Sequence, residues 1–371
     1  MITGSHRKTN VFVDLQAIDA NLKQELARLK PGQSLFAVVK ADAYGHGLLP
    51  VAHQAKKSGA TGFCVAVIDE GLALRQAGFH EDILILGVNP ASEALCLAQN
   101  DLAVAVGSMD FLKEAVVLLK EAALRLKVHL ALDTGMGRIG FCEKDQLKEA
   151  VTFLAENQKQ FEFEGIFTHF ASADSPDERY YQQQVAKFKD LMQVVPEKPR
   201  YVHTANSAAA LWHDAKLGNM VRFGIAMYGL NPDANAQVPP FELKPALSLE
   251  SELVFVKKVK AQSAIGYGST YVAKEDEWIG TVPVGYADGW LRRMQGFKLL
   301  VEGEWCEIVG RVCMDQIMIR LPQKYPVGTK VTLIGQNHGK QITAQDVAAY
   351  AKTIHYEIVC DLGVRIPRIY K

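Results

Sequence analysis

Eight short apolar runs, each separated from the next by room for an amphipathic stretch, restrict the fold of this chain more than any other feature. They are S-L-F-A-V-V (34–39), G-F-C-V-A-V (62–67), I-L-I-L (83–86), L-A-V-A-V (102–106), V-H-L-A-L (128–132), F-E-G-I-F-T (163–168), R-Y-V-H (200–203) and M-V-R-F (220–223). Short runs rich in β-branched residues read as strands buried on both faces, and their alternation with helical stretches is the pattern of repeated βα units on a parallel sheet. Eight such units predict an α/β fold, a (β/α)8 TIM-type barrel. The intervening helices carry start signals: Asp14 precedes a face of Ile18, Leu22, Leu26 and Leu29, and Ser108 precedes Leu112, Ala115, Leu119 and Ala122.

After N-P-D-A-N-A-Q-V-P-P (231–240) the texture changes to strand-like runs bounded by Gly and Pro, such as E-L-V-F-V-K-K-V-K, W-I-G-T-V-P-V-G-Y and E-W-C-E-I-V-G-R-V. The expected division is a barrel over 1–240 and a mainly β domain over 241–371. One earlier run, V-F-V-D-L at 11–15, precedes the eight and is a candidate partner for the β domain.

Lys plus Arg and Asp plus Glu each total 41, so no charge excess draws the chain to nucleic acid or to an acidic membrane, and the expected partner is a small molecule. No apolar run approaches the ~20 residues needed to span a bilayer, and the start lacks a signal-peptide core, so the expected location is cytoplasmic. The six cysteines are scattered without C-x-x-C or paired Cys/His spacing, which predicts no metal site. Cys313, in G-R-V-C-M-D, lacks the His/Asn arrangement that supports a thiol nucleophile.

Barrels of this kind carry their chemistry at the C-terminal ends of the strands. There Lys40 ends the first run, Asp133 and Arg138 follow the fifth, His169 follows the sixth, Ser207 follows the seventh, and Arg222 lies in the eighth with Gly224 just beyond. Burial lowers a lysine pKa and frees the neutral amine for a Schiff base; a strand-end lysine can equally snorkel to water. The loops after strands seven and eight are the usual phosphate site of this fold. H-T-A-N-S-A-A-A-L places Ser207 at a helix start and R-F-G-I-A-M-Y-G supplies Gly224, features that are individually common for structural reasons. Together with the lysine they point to a phosphorylated aldehyde cofactor.

The motifs are specific enough to name a resemblance. A-V-V-K-A-D-A-Y-G-H-G (37–47), D-T-G-M-G-R-I-G (133–140), F-T-H-F-A-S-A-D (167–174), H-T-A-N-S-A (203–208), V-R-F-G-I-A-M-Y-G (221–229), Y-G-S-T-Y (267–271), V-G-Y-A-D-G-W (284–290) and G-R-V-C-M-D-Q (310–316) occur in order. With these blocks the chain resembles, over almost its whole length, the bacterial alanine racemase family of fold-type-III pyridoxal-phosphate enzymes.

The resemblance implies pyridoxal 5'-phosphate on Lys40, with Lys40 and Tyr267 as acid/base groups on opposite faces of the substrate Cα. A single base tends to return a proton to the side it came from, whereas two opposed groups exchange it across the plane. It further implies that Arg222 faces the ring nitrogen and connects through His169 to the tyrosine. Because guanidinium only donates, that nitrogen stays an unprotonated acceptor and the ring is a weaker electron sink. Tyr44, Ser207, Gly224 and Ile225 are implied to hold the phosphate, the last two through backbone N–H groups. Arg138 would orient the substrate carboxylate or the tyrosine, and Met314 would close the pocket. In the family, the counterparts of Tyr267 and Met314 reach the other subunit's cofactor, which implies a homodimer with shared sites. The implied role is supply of D-alanine for peptidoglycan.

Two positions depart from the pattern. Many members carry a carbamylated lysine where this chain has Ala131, so the anion facing Arg138 has no counterpart here. Many have a tyrosine near the C-terminus where this chain has Val364, which removes a phosphate hydrogen bond and leaves space beside the substrate. A serine or broad-specificity racemase is therefore the main alternative. An amino-acid decarboxylase would place a carboxylate where Arg222 stands, and a non-catalytic pyridoxal-phosphate carrier would lack the C-terminal domain.

Overall fold

Parallel strands buried on both faces close into a ring when their number and tilt allow, and the eight runs do so. The computed structural model describes residues 2–213, 217–234 and 237–371, so Asn235 and Ala236 of the 231–240 segment lie outside the described residues. After a first strand, β1 (Asn10–Val13), come β2 (Ser34–Val38), β3 (Gly62–Val65), β4 (Asp82–Ile85), β5 (Ala103–Val106), β6 (Leu126–Leu132), β7 (Phe161–Thr168), β8 (Tyr201–His203) and β9 (Met220–Phe223). Strands β2 to β8 pair with their sequence neighbours in parallel, β2 also pairs with β9, and a parallel bridge between Ala205 and Val221 completes the circuit.

The helix starts follow their caps. Asp14 Oδ1 accepts the N–H groups of Gln16 (2.8 Å) and Ala17 (3.0 Å) at the head of the helix Leu15–Leu26. Ser108 caps Met109–Ala122, where Leu112, Ala115 and Leu119 are buried. The far ends of both expected faces fall short: Leu29 lies past its helix and is only partly buried, and Ala122 is exposed. The first of these helices stops ahead of Lys30-Pro31-Gly32, since the residue before a proline is disfavoured in helical geometry.

The chain divides into two compact units. One holds Ile18–Ala43 and Leu48–Lys244, with the barrel; the other holds Met1–Ala17, Tyr44–Gly47 and Pro245–Lys371. In the second unit β1 pairs antiparallel with Leu247–Glu252 and parallel with Arg368–Tyr370. The sheet continues from Leu247–Glu252 to Lys330–Asn337, Lys298–Val301 and Glu304–Glu307, and two short helices, Ala344–Ala351 and His355–Cys360, accompany it. Among the described residues no helix is long and apolar enough to cross a membrane.

One barrel position matters for the site. Gly165 in β7 lies against the buried ring of His129 in β6, and a Cβ there would sit 2.2 Å from His129 Nδ1. Gly165→Ala should therefore overpack the interior and lower stability by about 1–3 kcal/mol, read as a lower urea midpoint. An unchanged midpoint would mean that His129 has room to move aside.

Candidate active site

Lys40 stands two residues past β2, at the head of an unusual turn. Ala41, Asp42, Ala43 and Tyr44 have φ of 54°, 52°, 54° and 53°, and Gly45 follows at 77°. A left-handed turn of L-residues costs roughly 1–2 kcal/mol per residue, so it persists only where its surroundings over-determine it. Here Glu70 Oε1 accepts the Ala41 N–H at 2.6 Å, while Glu70 Oε2 accepts Ala66 N–H at 2.8 Å. Asp42 Oδ1 accepts Leu48 N–H at 2.7 Å, and Ala43 N–H donates to the Val39 carbonyl at 2.8 Å. The backbone carrying Lys40 is held from both sides.

Arg222 lies in β9, in register with Phe36 of β2, so Lys40 follows the strand next to that of Arg222. Its guanidinium is buried and surrounded by acceptors. Nη1 donates to His203 Nδ1 (2.6 Å) and to the His203 carbonyl (3.1 Å), and Nη2 donates to the Thr168 carbonyl (2.9 Å) and lies 3.4 Å from His169 Nδ1. Burial pulls Arg222 down to about 10, which leaves it charged at neutral pH. His203 is itself joined to His129, and His129 to Glu164.

His169 follows β7 and is half-buried; its Nε2 lies 3.4 Å from Asn206 Nδ2. Burial, with the positive charges of Arg222, Arg138 and Lys40, holds its imidazole well below the ordinary histidine range and hence neutral. Arg138 is exposed in the loop after β6, where Asp133 Oδ1 accepts the N–H groups of Gly135 (2.9 Å) and Gly137 (3.0 Å). Ala131 is buried with Ala105 and Phe167. Ser207 opens the helix Ser207–Trp212 and its Oγ accepts the N–H of Gly224 at 2.9 Å and of Ala226 at 3.4 Å. Ile225 is buried beside them. The barrel unit thus gathers Lys40, Arg138, His169, Ser207, Arg222, Gly224 and Ile225 at the C-terminal ends of its strands, a cationic set suited to an anionic ligand.

The other expected residues belong to the β-rich unit. Tyr44 is buried, its ring 6.2 Å from that of Tyr356. Tyr267 is 68 % exposed and Met314 53 % exposed. Gly266, next to Tyr267, lies against the backbone of Gly310 and Arg311 at the start of the loop that carries Met314. Tyr286 and Ala287 donate their N–H groups to the carbonyls of Cys313 (3.1 Å) and Met314 (3.0 Å). Burial pushes the Cys313 thiol up, which disfavours a thiolate. Val364 is partly exposed in the same unit.

Sequence reading missed Glu70, Glu164, His129 and His203. The last three were visible as polar residues inside otherwise buried strands; Glu70 had no local signal.

Family models cover the chain in two pieces: Alanine racemase, N-terminal domain, matches residues 13–232, and Alanine racemase, C-terminal domain, matches 246–370. The chain belongs to the alanine racemase family. It is thus an isomerase, built as a barrel with a C-terminal mainly β domain. An alanine racemase of Ligilactobacillus salivarius (strain UCC118) is 62 % identical over 371 residues, covering 100 % of both chains. The crystal structure of alanine racemase from E. faecalis matches with a TM-score of 0.98 at 52 % identity, covering 100 % of both chains. A histidine racemase from Leuconostoc mesenteroides also shares the architecture, with a TM-score of 0.93 at 34 % identity over 100 % of this chain and 99 % of that one.

The depressed histidines have a pH consequence. His169 and His203 both titrate well below 6.5 in the folded chain, so the unfolded chain takes up protons that the fold refuses. Their contribution to stability is complete above pH ~6.5 and is lost as pH falls below it, by up to about 1.4 kcal/mol per pH unit for each histidine. His169→Gln should flatten the fall in urea stability between pH ~6.5 and ~5, by at most that amount. Equal slopes in the two proteins would mean that His169 is as basic folded as unfolded.

Proposed function

We propose that this isomerase interconverts L-alanine and D-alanine with pyridoxal 5'-phosphate. The full-length match to the family carries this reading, and the surroundings of Arg222 support the cofactor. A buried group that can only donate suits the acceptor nitrogen of a pyridine ring, and Ser207, with the Ile225 N–H and the Gly224 N–H that Ser207 Oγ accepts, suits a phosphate. Tyr44 would add a phenolic hydroxyl to the phosphate. When bound, the cofactor supplies a conjugated ring that spreads the negative charge left on the substrate Cα after its proton is removed.

The chain's own residues do the rest. Lys40 Nζ would hold the cofactor in the resting chain and, once the substrate amine has freed it, would hold or deliver a proton on one face of Cα, while the Tyr267 hydroxyl would serve the other. Arg138 orients the substrate carboxylate with its planar fork. Arg222, fixed by carbonyls and His203, keeps the electron sink modest, which suits a proton exchange free of transamination. Met314 closes the pocket.

The exposed Tyr267 and Met314 of the β-rich unit suit a face that a second copy covers, and we assign the active form as a homodimer in which the C-terminal domain completes the partner's site. D-alanine made in the cytoplasm would serve peptidoglycan synthesis.

Val364, which lacks the phosphate-binding hydroxyl of a tyrosine, and a related histidine racemase of the same architecture favour a second reading, a racemase tolerant of larger side chains such as serine.

The purified protein should show the absorption band of lysine-bound cofactor and convert L-alanine to D-alanine. Lys40→Ala should lose both, and Tyr267→Phe should keep the band while conversion falls about 10²–10⁴-fold. A band without conversion would instead support a carrier or another substrate, and faster turnover of serine than alanine would support the second reading.

A further inference from the structure

Below Arg222, the barrel interior holds a file of polar side chains to which the proposed reaction gives no task. Glu164 Oε2 lies 2.9 Å from His129 Nε2, His129 Nδ1 lies 2.8 Å from His203 Nε2, and His203 Nδ1 lies 2.6 Å from Arg222 Nη1. All four side chains are buried. They come from β7, β6, β8 and β9, and their walls are aromatic: the Phe167 ring stacks on His203 at 4.8 Å and the Tyr201 ring on His129 at 5.9 Å.

The proton positions follow from the two ends. Arginine only donates, so His203 Nδ1 accepts and the ring proton of His203 sits on Nε2. That N–H meets His129 Nδ1, which therefore accepts, so the ring proton of His129 sits on Nε2 and is given to the Glu164 carboxylate. A donor-only group at one end and an acceptor-only group at the other demand the same order, so every bond runs in one direction and each polarises the next. Both hydrogens of Arg222 Nη1 are then taken by His203, one by its ring and one by its carbonyl. The other Glu164 oxygen faces Lys127 at 3.9 Å and Arg200 at 3.8 Å, and Asp82 lies 3.7 Å from Lys127 and 3.1 Å from Arg200. Burial and Arg222 discourage a second proton on His203.

We propose that Glu164, acting through His129 and His203, is a positioning residue for Arg222: it fixes the histidine tautomers that present an acceptor to Nη1 and so sets the orientation of the guanidinium. The proposal rests on the reading of Arg222 as the group that meets the cofactor ring. Without Glu164 the file must either leave the His129 N–H unpaired or reverse and set an N–H against Arg222. These two costs are of similar size.

The test is nitrogen NMR of the full chain labelled with ¹⁵N-histidine at pH ~8, with the cofactor bound and again after its removal, the two signals being assigned from His129→Gln and His203→Gln. Both rings should carry a protonated Nε2 and a bare Nδ1 in both forms. Glu164→Gln keeps an acceptor oxygen and should keep this pattern and the racemisation rate. Glu164→Leu should shift both signals toward mixed tautomers and lower kcat about tenfold with KM unchanged, the scale of one charge-assisted hydrogen bond. A protonated Nδ1 at either histidine in the unchanged chain overturns the proposal. So does a Glu164→Leu protein whose signals and kcat are unaltered. If that variant does not fold, the tautomers of the unchanged chain and of Glu164→Gln still decide. The cofactor-free spectrum reads the file without the reaction, so expected tautomers in a chain that racemises nothing would sink the proposed function alone.

Discussion

A guanidinium buried in a protein must be ringed by acceptors or it is expelled to water, and the arrangement of the barrel site follows from meeting that demand at Arg222. The strand register supplies the ring. β7 ends with the Thr168 carbonyl toward Nη2, and β8 ends with His203, whose ring and carbonyl both take Nη1. His203 can accept only as a neutral ring, and His169 is kept neutral by burial, by the same positive charge and by Arg138 and Lys40. Burial and one fixed charge thus act in the same direction on two histidines.

The same economy of alternatives holds at Lys40. Four successive non-glycine residues in left-handed geometry are an expensive way to leave a strand. Glu70 and Asp42 offset that cost by taking the N–H groups of Ala41 and Leu48. A stiff turn leaves the lysine stem little backbone freedom, which suits the role proposed for Lys40 on one face of the substrate.

The barrel was legible in the sequence because its strands are buried on both faces and so read as unbroken apolar runs; each of the eight became a strand within a few residues of its expected ends. The residues expected at the strand ends could be grouped from the sequence because this topology gathers strand ends at one rim. The roles proposed for Tyr267 and Met314 come only from the family resemblance, since nothing local marks an exposed tyrosine or methionine. The left-handed turn was hidden because alanine, aspartate and tyrosine carry no signal for positive φ, and its clamp, Glu70, lies 29 residues away from Ala41. The Glu164–His129–His203 file was half visible: its members stood out as polar residues in apolar strands, but their order depends on register, including the irregularity between Val128 and His129.

The most direct test of the two opposed acid/base groups is exchange of the alanine Cα proton in D2O by the Tyr267→Phe protein, followed by NMR from each enantiomer separately. With Lys40 intact on one face, exchange should persist for one enantiomer and be lost for the other. Equal exchange from both enantiomers, or equal loss from both, would contradict the assignment of Lys40 and Tyr267 to opposite faces.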